Sequence, residues 1–277
     1  MIRLLPTTFE DVSSLTYRNL VRRSGELPRV ERLVVPVQRV RATGLPAGLE
    51  GIVAMSDLQG AAGTDSAPTL PTHTALDLLE RLGEIGELPP LGRMVVCLGG
   101  DHFARLALDK RGGSGDVTCV WRDAGARASA VVGVVGNHDR FEHVRADPPV
   151  FPILGRFPRI ASSATLLDGA AVKVHDVRIA GVSGTIGDPA RPFRRTEEEF
   201  LRTLRLALSE TPDLLLLHQG PAPPMPDRSV SVALREACAE WPGLTIYGHD
   251  RVPDRFEEHA SGAQFLNVLE RVVVMVP

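Results

Sequence analysis

The segment Val131-Val132-Gly133-Val134-Val135-Gly136-Asn137-His138-Asp139 joins an apolar run of strand length to four residues suited to a turn and to chemistry. Gly136 permits a tight turn, and Asn137 offers a neutral carbonyl oxygen that can bind a cation. His138 is a proton donor, and the Asp139 carboxylate could orient its ring. Taken alone, a tetrapeptide of this kind is as often structural as functional. The segment therefore predicts a buried strand that ends beside a candidate site.

Four further apolar runs end in the same way, each just before a residue that can bind a metal. The five runs are residues 52–55 before Asp57, 94–98 before Asp101, 131–135 before Asn137, 214–217 before His218, and 244–247 before His249. Open α/β sheets build their sites beyond the carboxyl ends of their strands, so ligand types at five such ends predict one shared pocket. The chain is therefore predicted to be a metalloenzyme.

Length and composition indicate one soluble α/β domain with a large core. The chain has 277 residues, of which 43% are hydrophobic and 23% are charged, an ordinary balance for a globular protein. No apolar run approaches the roughly 20 residues that cross a bilayer, and residues 1–8 lack the apolar core of a secretory signal. The three cysteines are widely separated, which suggests neither disulfides nor a cysteine metal site. We therefore expect a cytoplasmic protein without membrane association.

The net charge of −3 and the pI near 6.3 leave no basic field of the kind that nucleic-acid-binding proteins use. Aromatic residues make up 5% of the chain, and no aromatic and basic groove that would hold a single strand is evident. These properties argue against nucleic acid as a partner, and a nuclease is the weaker interpretation. A local basic groove stays open, and nothing in the sequence indicates an oligomeric state.

The chain is predicted to have an N-terminal extension and one domain that carries the candidate metal ligands. Residues 1–48 carry no ligand cluster, and we interpret them as an N-terminal extension packed on the domain formed by residues 49–277. Residues 32–40 alternate loosely enough to form an edge strand. Helices are predicted over residues 73–85 and from Thr196, which can form a capping box with Glu199. Residues 178–182 and 271–276 are predicted to be buried strands without chemistry.

Five short motifs, one at each of the strand ends, occur together in a fixed order. They are Ser56-Asp57-Leu58-Gln59-Gly60, Gly100-Asp101-His102, Gly136-Asn137-His138-Asp139, Leu217-His218-Gln219-Gly220-Pro221 and Tyr247-Gly248-His249-Asp250-Arg251. With this order and spacing, residues 49–277 resemble the calcineurin-like metallophosphoesterase family. The resemblance implies an α/β fold of two stacked mixed β-sheets flanked by helices, a four-layer sandwich. It also implies a dinuclear metal centre at one sheet edge.

The family pattern, carried onto this chain, makes Asp101 a carboxylate that bridges two metal ions. One ion would be completed by Asn137, His218 and His249, and this ligand set is intact. Two imidazoles with two oxygen ligands suit Mn, Fe or Zn, and geometry alone does not separate these metals. One occupied divalent site is therefore expected.

The second metal site departs from the family pattern. Asp57 is present, but Gln59 and Arg251 stand where the family has histidines. Gln59 still offers a carbonyl oxygen, whereas Arg251 has no acceptor atom and cannot be a ligand. Asp250 could supply a carboxylate instead, or Arg251 could replace the missing metal charge and grip a phosphate. A third interpretation leaves Arg251 pointing to solvent.

Further residues near the motifs are candidates for contact with substrate. Ala104 stands where the family has a carboxylate that supports the site, and the neighbouring His102 could contact substrate or lie on the surface. Residues 109–116 are rich in glycine and include Lys110 and Arg111, which could hold a phosphoryl oxygen. A solvated turn is the alternative for this segment.

The resemblance implies a metal-dependent phosphoric ester hydrolase. Its substrate would be a small phosphomonoester or phosphodiester, attacked by a metal-activated hydroxide. His138, braced by Asp139, would protonate the leaving group or stabilise the transition state. The alternative is a degenerate single-metal protein that binds a phosphate ligand or regulates, with little turnover. The substitutions at Gln59, Ala104 and Arg251 favour that alternative, and the complete motif of residues 136–139 opposes it.

Overall fold

Two stacked β-sheets form the centre of the protein in the computed structural model, which describes residues 1–21, 27–109, 113–141, 163–223 and 231–277. Within these residues the larger sheet has eight strands. They are β1 (Arg3–Leu4), β2 (Glu10–Val21), β3 (Arg29–Thr43), β4 (Gly51–Ser56), β7 (Met94–Leu98), β9 (Ala130–Gly133), β11 (Ala164–Leu166) and β20 (Arg271–Val276). Their order is β1-β3-β20-β4-β7-β9-β11, with β2 paired to β3. The sheet is mixed, because β4, β7, β9 and β11 are parallel whereas β20 is antiparallel to β4.

The second sheet has six strands within the described residues, and it is also mixed. Its strands are β12 (Ala170–Val174), β13 (Val177–Val182), β16 (Leu214–Gln219), β17 (Leu244–Gly248), β18 (Phe256–Glu258) and β19 (Gln264–Asn267). They follow the order β12-β13-β16-β17-β19-β18, and the four strands β13, β16, β17 and β19 are parallel. The carboxyl ends of β16 and β17 therefore lie at one edge of this sheet.

Four helices and three short strand pairs complete the described structure. The helices are α1 (Pro71–Glu84), α2 (Thr118–Arg127), α3 (Glu197–Ser209) and α4 (Val232–Ala239). The strand pairs are β5 (Ala62–Thr64) with β6 (Ala67–Thr69), β8 (Gly115–Asp116) with β10 (Asp139–Arg140), and β14 (Thr185–Ile186) with β15 (Arg194–Arg195). No helix among the described residues is both long enough and apolar enough to span a bilayer.

Side chains on opposite faces of each strand separate the molecule into four layers. Along β4, Val53 and Met55 pack with the buried faces of α1 and α2, whereas Ile52 and Ala54 pack against the second sheet. The outer face of the second sheet packs against α3 and α4 through residues such as Phe200. This alternation follows from the two-residue repeat of a strand. The predicted fold class, two stacked mixed sheets flanked by helices, is confirmed.

Local signals in the sequence correspond closely to the observed elements. The run at residues 94–98 is β7, and the run at 271–276 is β20. The helix expected over 73–85 extends over Pro71–Glu84, because Pro71 suits the first helical turn. The capping box of Thr196 and Glu199 is present with both hydrogen bonds. These predictions succeed because they depend on neighbouring residues.

The N-terminal segment contributes strands to the larger sheet. β3 pairs with β20 on one side and with β1 and β2 on the other, so it lies inside the sheet and not at its edge. The alternation at residues 32–40 identified the strand correctly. Its neighbours could not be predicted, because β20 lies more than 200 residues further along the chain.

Candidate metal centre

Four of the predicted ligands converge at one point. One ligand atom from each of Asp57, Asp101, His218 and His249 lies within 4.8 Å of the others. Asp57 directly follows β4 and Asp101 lies three residues after β7, both in the larger sheet, whereas His218 and His249 belong to the ends of β16 and β17. The cluster therefore forms where the carboxyl ends of strands from both sheets meet, and Asp57 belongs to the same cluster as the other three.

The backbone is held in an uncommon conformation at three of these four residues. The φ angles of Asp57, Asp101 and His249 are 58°, 54° and 60°, which lie in the left-handed region. Such a conformation costs about 1–3 kcal/mol per non-glycine residue and recurs at functional sites. The amide of Asp57 donates to the carbonyl of Gly100 at 2.9 Å, which ties two of these turns together.

Two glycines of the motifs make room for the carboxylates. A Cβ atom at Gly136 would overlap the Asp101 carboxylate, and one at Gly248 would overlap that of Asp57. Larger residues at these positions would therefore displace a donor. This explains why glycine precedes Asn137 and His249 in these two motifs.

Hydrogen bonds orient the donors of the cluster. Asp101 Oδ1 accepts from the amide of His138 at 2.8 Å, and its Oδ2 lies 3.5 Å from His218 Nε2. Asp57 Oδ2 accepts from the Ser56 hydroxyl at 2.6 Å and from the His249 amide at 3.0 Å. Nδ1 of His218 lies 2.8 Å from the carbonyl of Gly99, which leaves Nε2 directed at the carboxylates.

The electrostatics of the cluster are those of two buried carboxylates that lack enough positive charge. Burial raises the pKa of Asp57 to about 7, although His218 opposes this shift. Burial opposes protonation of His218, but Asp101 and Asp57 outweigh it and raise the pKa of this imidazole to about 10. Burial and the neighbouring His218 lower the pKa of His249 to about 3. A cation bound among these groups would compensate the two carboxylates.

The donor set fits a divalent metal ion. Oδ1 of Asn137 is buried and has no hydrogen-bond partner among the described residues, and buried Nε2 of His218 has only the long contact of 3.5 Å with Asp101. Together with the carboxylates of Asp57 and Asp101, they offer the mixed oxygen and nitrogen donors that suit Mn, Fe or Zn. A buried polar atom without a partner costs free energy, which a metal–ligand bond would recover. The cluster of aspartates and histidines could therefore bind a metal ion.

His138 and Asp139 are adjacent in sequence, but their side chains lie in different environments. His138 lines the open cavity above the cluster, and its Nδ1 has no hydrogen-bond partner among the described residues. The Asp139 carboxylate accepts from four backbone amides, those of residues 101, 102, 103 and 136. The expected contact in which Asp139 orients the His138 ring is therefore not formed, because both carboxylate oxygens already bind the backbone of the two loops.

The other residues considered for the second metal site lie in two places. Gln59 and Arg251 line the cavity, whereas Asp250 lies outside the cluster of four donors. The Arg251 side chain is 60% exposed, and its Nη2 lies 2.5 Å from Glu270 Oε1. Arg251 is therefore paired with Glu270 at the cavity while much of its side chain faces solvent, so the interpretation that it points to solvent stays a prediction beside the other two.

The remaining predicted substrate contacts fall in three places. His102 is fully buried with Nδ1 2.9 Å from the Thr72 hydroxyl, so it is not a surface histidine. Lys110 and Arg111 lie outside the described residues. The glycines at 113 and 115 make room for the side chains of Arg105 and Phe103, which is a packing role for this glycine-rich segment.

An open cavity of about 230 Å³ lies over the cluster and includes residues that sequence reasoning missed. Its wall contains Asn19, Leu20, Phe103, Arg105 and Glu270 beside the expected residues. Arg105 lies only four residues after Asp101, so the sequence alone could have indicated that it lies near the site. Asn19 and Leu20 carry no such signal, because only the pairing of β2 with β3 brings them to the cavity.

Comparison with known proteins gives matches of low identity among solved structures. No family model matches the chain, and no curated protein matches it. The solved structure of TT1561 from Thermus thermophilus is 16% identical over 82% of this chain and 88% of that one, with a TM-score of 0.48. A sulfate thiohydrolase SoxB from Thermus thermophilus is 15% identical, with a TM-score of 0.43, over 83% and 57% of the two chains. AQ665 from Aquifex aeolicus, of unknown function, is 14% identical, with a TM-score of 0.32, over 81% and 95%. At this identity none of the three transfers a function.

Proposed function

We propose that the protein is a metal-dependent phosphoesterase that hydrolyses a small phosphomonoester or phosphodiester. The observation that carries this proposal is the cluster of Asp57, Asp101, His218 and His249. Three of these residues, Asp57, Asp101 and His249, line an open cavity that arginines also line. A floor that can hold a divalent cation and walls that carry guanidinium groups are complementary to a phosphate dianion.

Asp57, Asp101, Asn137, His218 and His249 would hold the metal. Bound there, a divalent ion would lower the pKa of a water molecule and neutralise charge on a phosphoryl oxygen. Two side chains of the cluster contribute to its rigidity, because Ser56 and Gly99 fix one carboxylate and one imidazole by hydrogen bonds. Preorganised donors of this kind need little rearrangement during the reaction.

Arg251 supplies positive charge from the rim of the cavity. Its guanidinium is held by Glu270 and lines the same cavity as Asp57 and His249. A planar fork of N–H donors can bind two phosphoryl oxygens at once. Arg105 also lines the cavity, and its guanidinium pairs with Asp109 at 2.7 Å.

His138 is the proposed proton donor to the leaving group. Its ring lines the cavity, and its amide donates to Asp101 Oδ1. Because Nδ1 is buried, Nε2 is the ring nitrogen that we propose for the proton transfer. An imidazole in this place can hold a proton for the departing oxygen. Asp139 acts in this proposal by holding the loops of Asp101 and Asn137 together.

The test is hydrolysis of p-nitrophenyl phosphate and bis-p-nitrophenyl phosphate by the purified protein loaded with Mn, Fe or Zn. We expect metal-dependent release of nitrophenol that is lost in Asp101→Asn and kept in Asp176→Asn, whose side chain is 78% exposed and lies at the turn after β12. Phosphate binding without hydrolysis would favour the binding or regulatory alternative. Two residues support that alternative: Gln59 and Arg251 line the cavity at positions where a complete second metal site would have histidines.

A further inference from the structure

The β2–β3 hairpin extends from the larger sheet to the cavity. β20 pairs with residues 37–41 of β3, whereas the β2–β3 ladder continues outward to the pair of Val21 and Arg29. The outer part of the hairpin is therefore a two-stranded arm. Asn19 and Leu20, near its end, line the cavity above the cluster.

The arm is fixed to the loop that carries a predicted metal ligand. The amide and carbonyl of Arg18 exchange hydrogen bonds with Ala61 at 2.9 and 2.8 Å. Tyr17 is only 2% exposed, and its ring lies so close to Gly60 that a Cβ there would be 2.6 Å from Cδ2. Asp57 lies four residues before Ala61, so Leu20 has a defined position relative to the cluster.

Other apolar side chains line the same cavity. Phe103 and Leu108 belong to the loop after β7, and Leu269 lies shortly before β20. The absence of a side chain at Gly115 lets the Phe103 ring lie in place. The cavity therefore combines charged groups with apolar side chains that include Leu20 and Phe103.

We infer that the hairpin determines the specificity of the proposed phosphoesterase, with the organic group of the ester in contact with Leu20 and Phe103, which line the same cavity as Asp57, Asp101 and His249. The inference rests on the proposed function and adds a substrate class: small esters whose alcohol is flat and apolar, such as an aryl group. The phosphoryl group lies at the charged cluster, and the apolar group contacts these two side chains. Burial of apolar surface against them provides the preference.

The experiment measures binding of phenylphosphonate and methylphosphonate to the metal-loaded protein by titration calorimetry. Both carry a phosphoryl dianion on a P–C bond, so they are not esters and differ only in the organic group. We expect the wild type to bind phenylphosphonate about tenfold more tightly, a difference of the size that small apolar contacts give in a pocket. Leu20→Ala should reduce this preference to about twofold, and Leu20→Met should restore most of it.

Val34→Ala is the matched control, because Val34 belongs to the same hairpin, is 65% exposed and does not line the cavity. It should keep the tenfold preference. Equal affinities in the wild type, an unchanged preference in Leu20→Ala, or no binding of either phosphonate would overturn the inference. Failure of the proposed function gives a different result: a persistent preference for phenylphosphonate without hydrolysis of any ester.

Discussion

Replacement of Asp139 by asparagine tests how the loops of the site are held together. Asp139 is fully buried, and its Oδ2 accepts from the amides of Asp101 at 2.8 Å and Gly136 at 3.1 Å. Its Oδ1 accepts from the amides of His102 at 2.9 Å and Phe103 at 3.3 Å. One carboxylate therefore joins the turn after β7 to the turn after β9.

The expected loss of stability follows from the number of acceptors. Asparagine keeps one oxygen, so two of the four amides lose their partner and face an NH₂ group. A buried donor left without a partner costs about 1–3 kcal/mol, which gives about 2–6 kcal/mol for two. Part of this loss is offset because asparagine carries no charge. Burial and the neighbouring Asp101 raise the pKa of Asp139 to about 6, so the ionised carboxylate is itself disfavoured in the folded protein, and the variant avoids that cost. Against a total stability of about 5–15 kcal/mol, the variant should still fold.

The assay is urea unfolding at pH 8, where the wild-type carboxyl is ionised, with Asp254→Asn as the control. Asp254 is exposed, so its replacement should change the free energy of unfolding by less than about 0.5 kcal/mol. A loss below about 1 kcal/mol in Asp139→Asn would refute the reasoning. Full stability with a large fall in turnover would instead support the role in which Asp139 orients His138.

Four further outcomes are expected. Saturating Mn should raise the melting temperature of the wild type, because it binds the folded state, and Asp101→Asn should abolish the rise. Gly136→Ala should also abolish the rise in melting temperature, because the new methyl group would overlap the Asp101 carboxylate. Gly92→Ala should keep the rise, because a methyl group there would lie 3.5 Å from its nearest atom, the carbonyl oxygen of Arg127. His138→Ala should lower turnover by roughly 10² to 10⁴ while elemental analysis finds unchanged metal; an equal loss of metal would contradict its role. Cys119 alone should react with a thiol reagent before unfolding, because the other two cysteines are buried and burial raises the pKa of their thiols; three reactive thiols in the native protein would contradict the fold.

Much of the architecture could be predicted because its signals are local. An apolar run of four or five residues favours a buried strand through its own composition, and the predicted runs correspond to β4, β7, β9, β16 and β17. The capping box of α3 needs only residues 196–199. The order of the motifs along the chain also predicted which residues would lie near one another, and Asp57, Asp101, His218 and His249 do lie together.

Roles that depend on distant partners could not be predicted. The sequence places Asp139 next to His138, which suggested a pair, but the carboxylate binds amides of a loop 36 to 38 residues earlier. The sequence allows three interpretations of Arg251, and its ion pair with Glu270 depends on a partner 19 residues further along the chain. In both cases the partner is set by how two loops pack, which no short stretch of residues records.

The sequence by itself determined the strands and the residue types that can meet at the strand ends, because both depend on a short-range pattern and on strand geometry. The two-sheet fold class was implied by the resemblance that the ordered motifs carry. Only the tertiary structure decided which groups share the cavity: the hairpin arm with Leu20, the Phe103 wall and the Arg251 rim. The reason is physical. Leu20 reaches the cavity because β3 pairs with β20, more than 200 residues away, and that pairing is selected by burial of the whole sheet and not by any local preference.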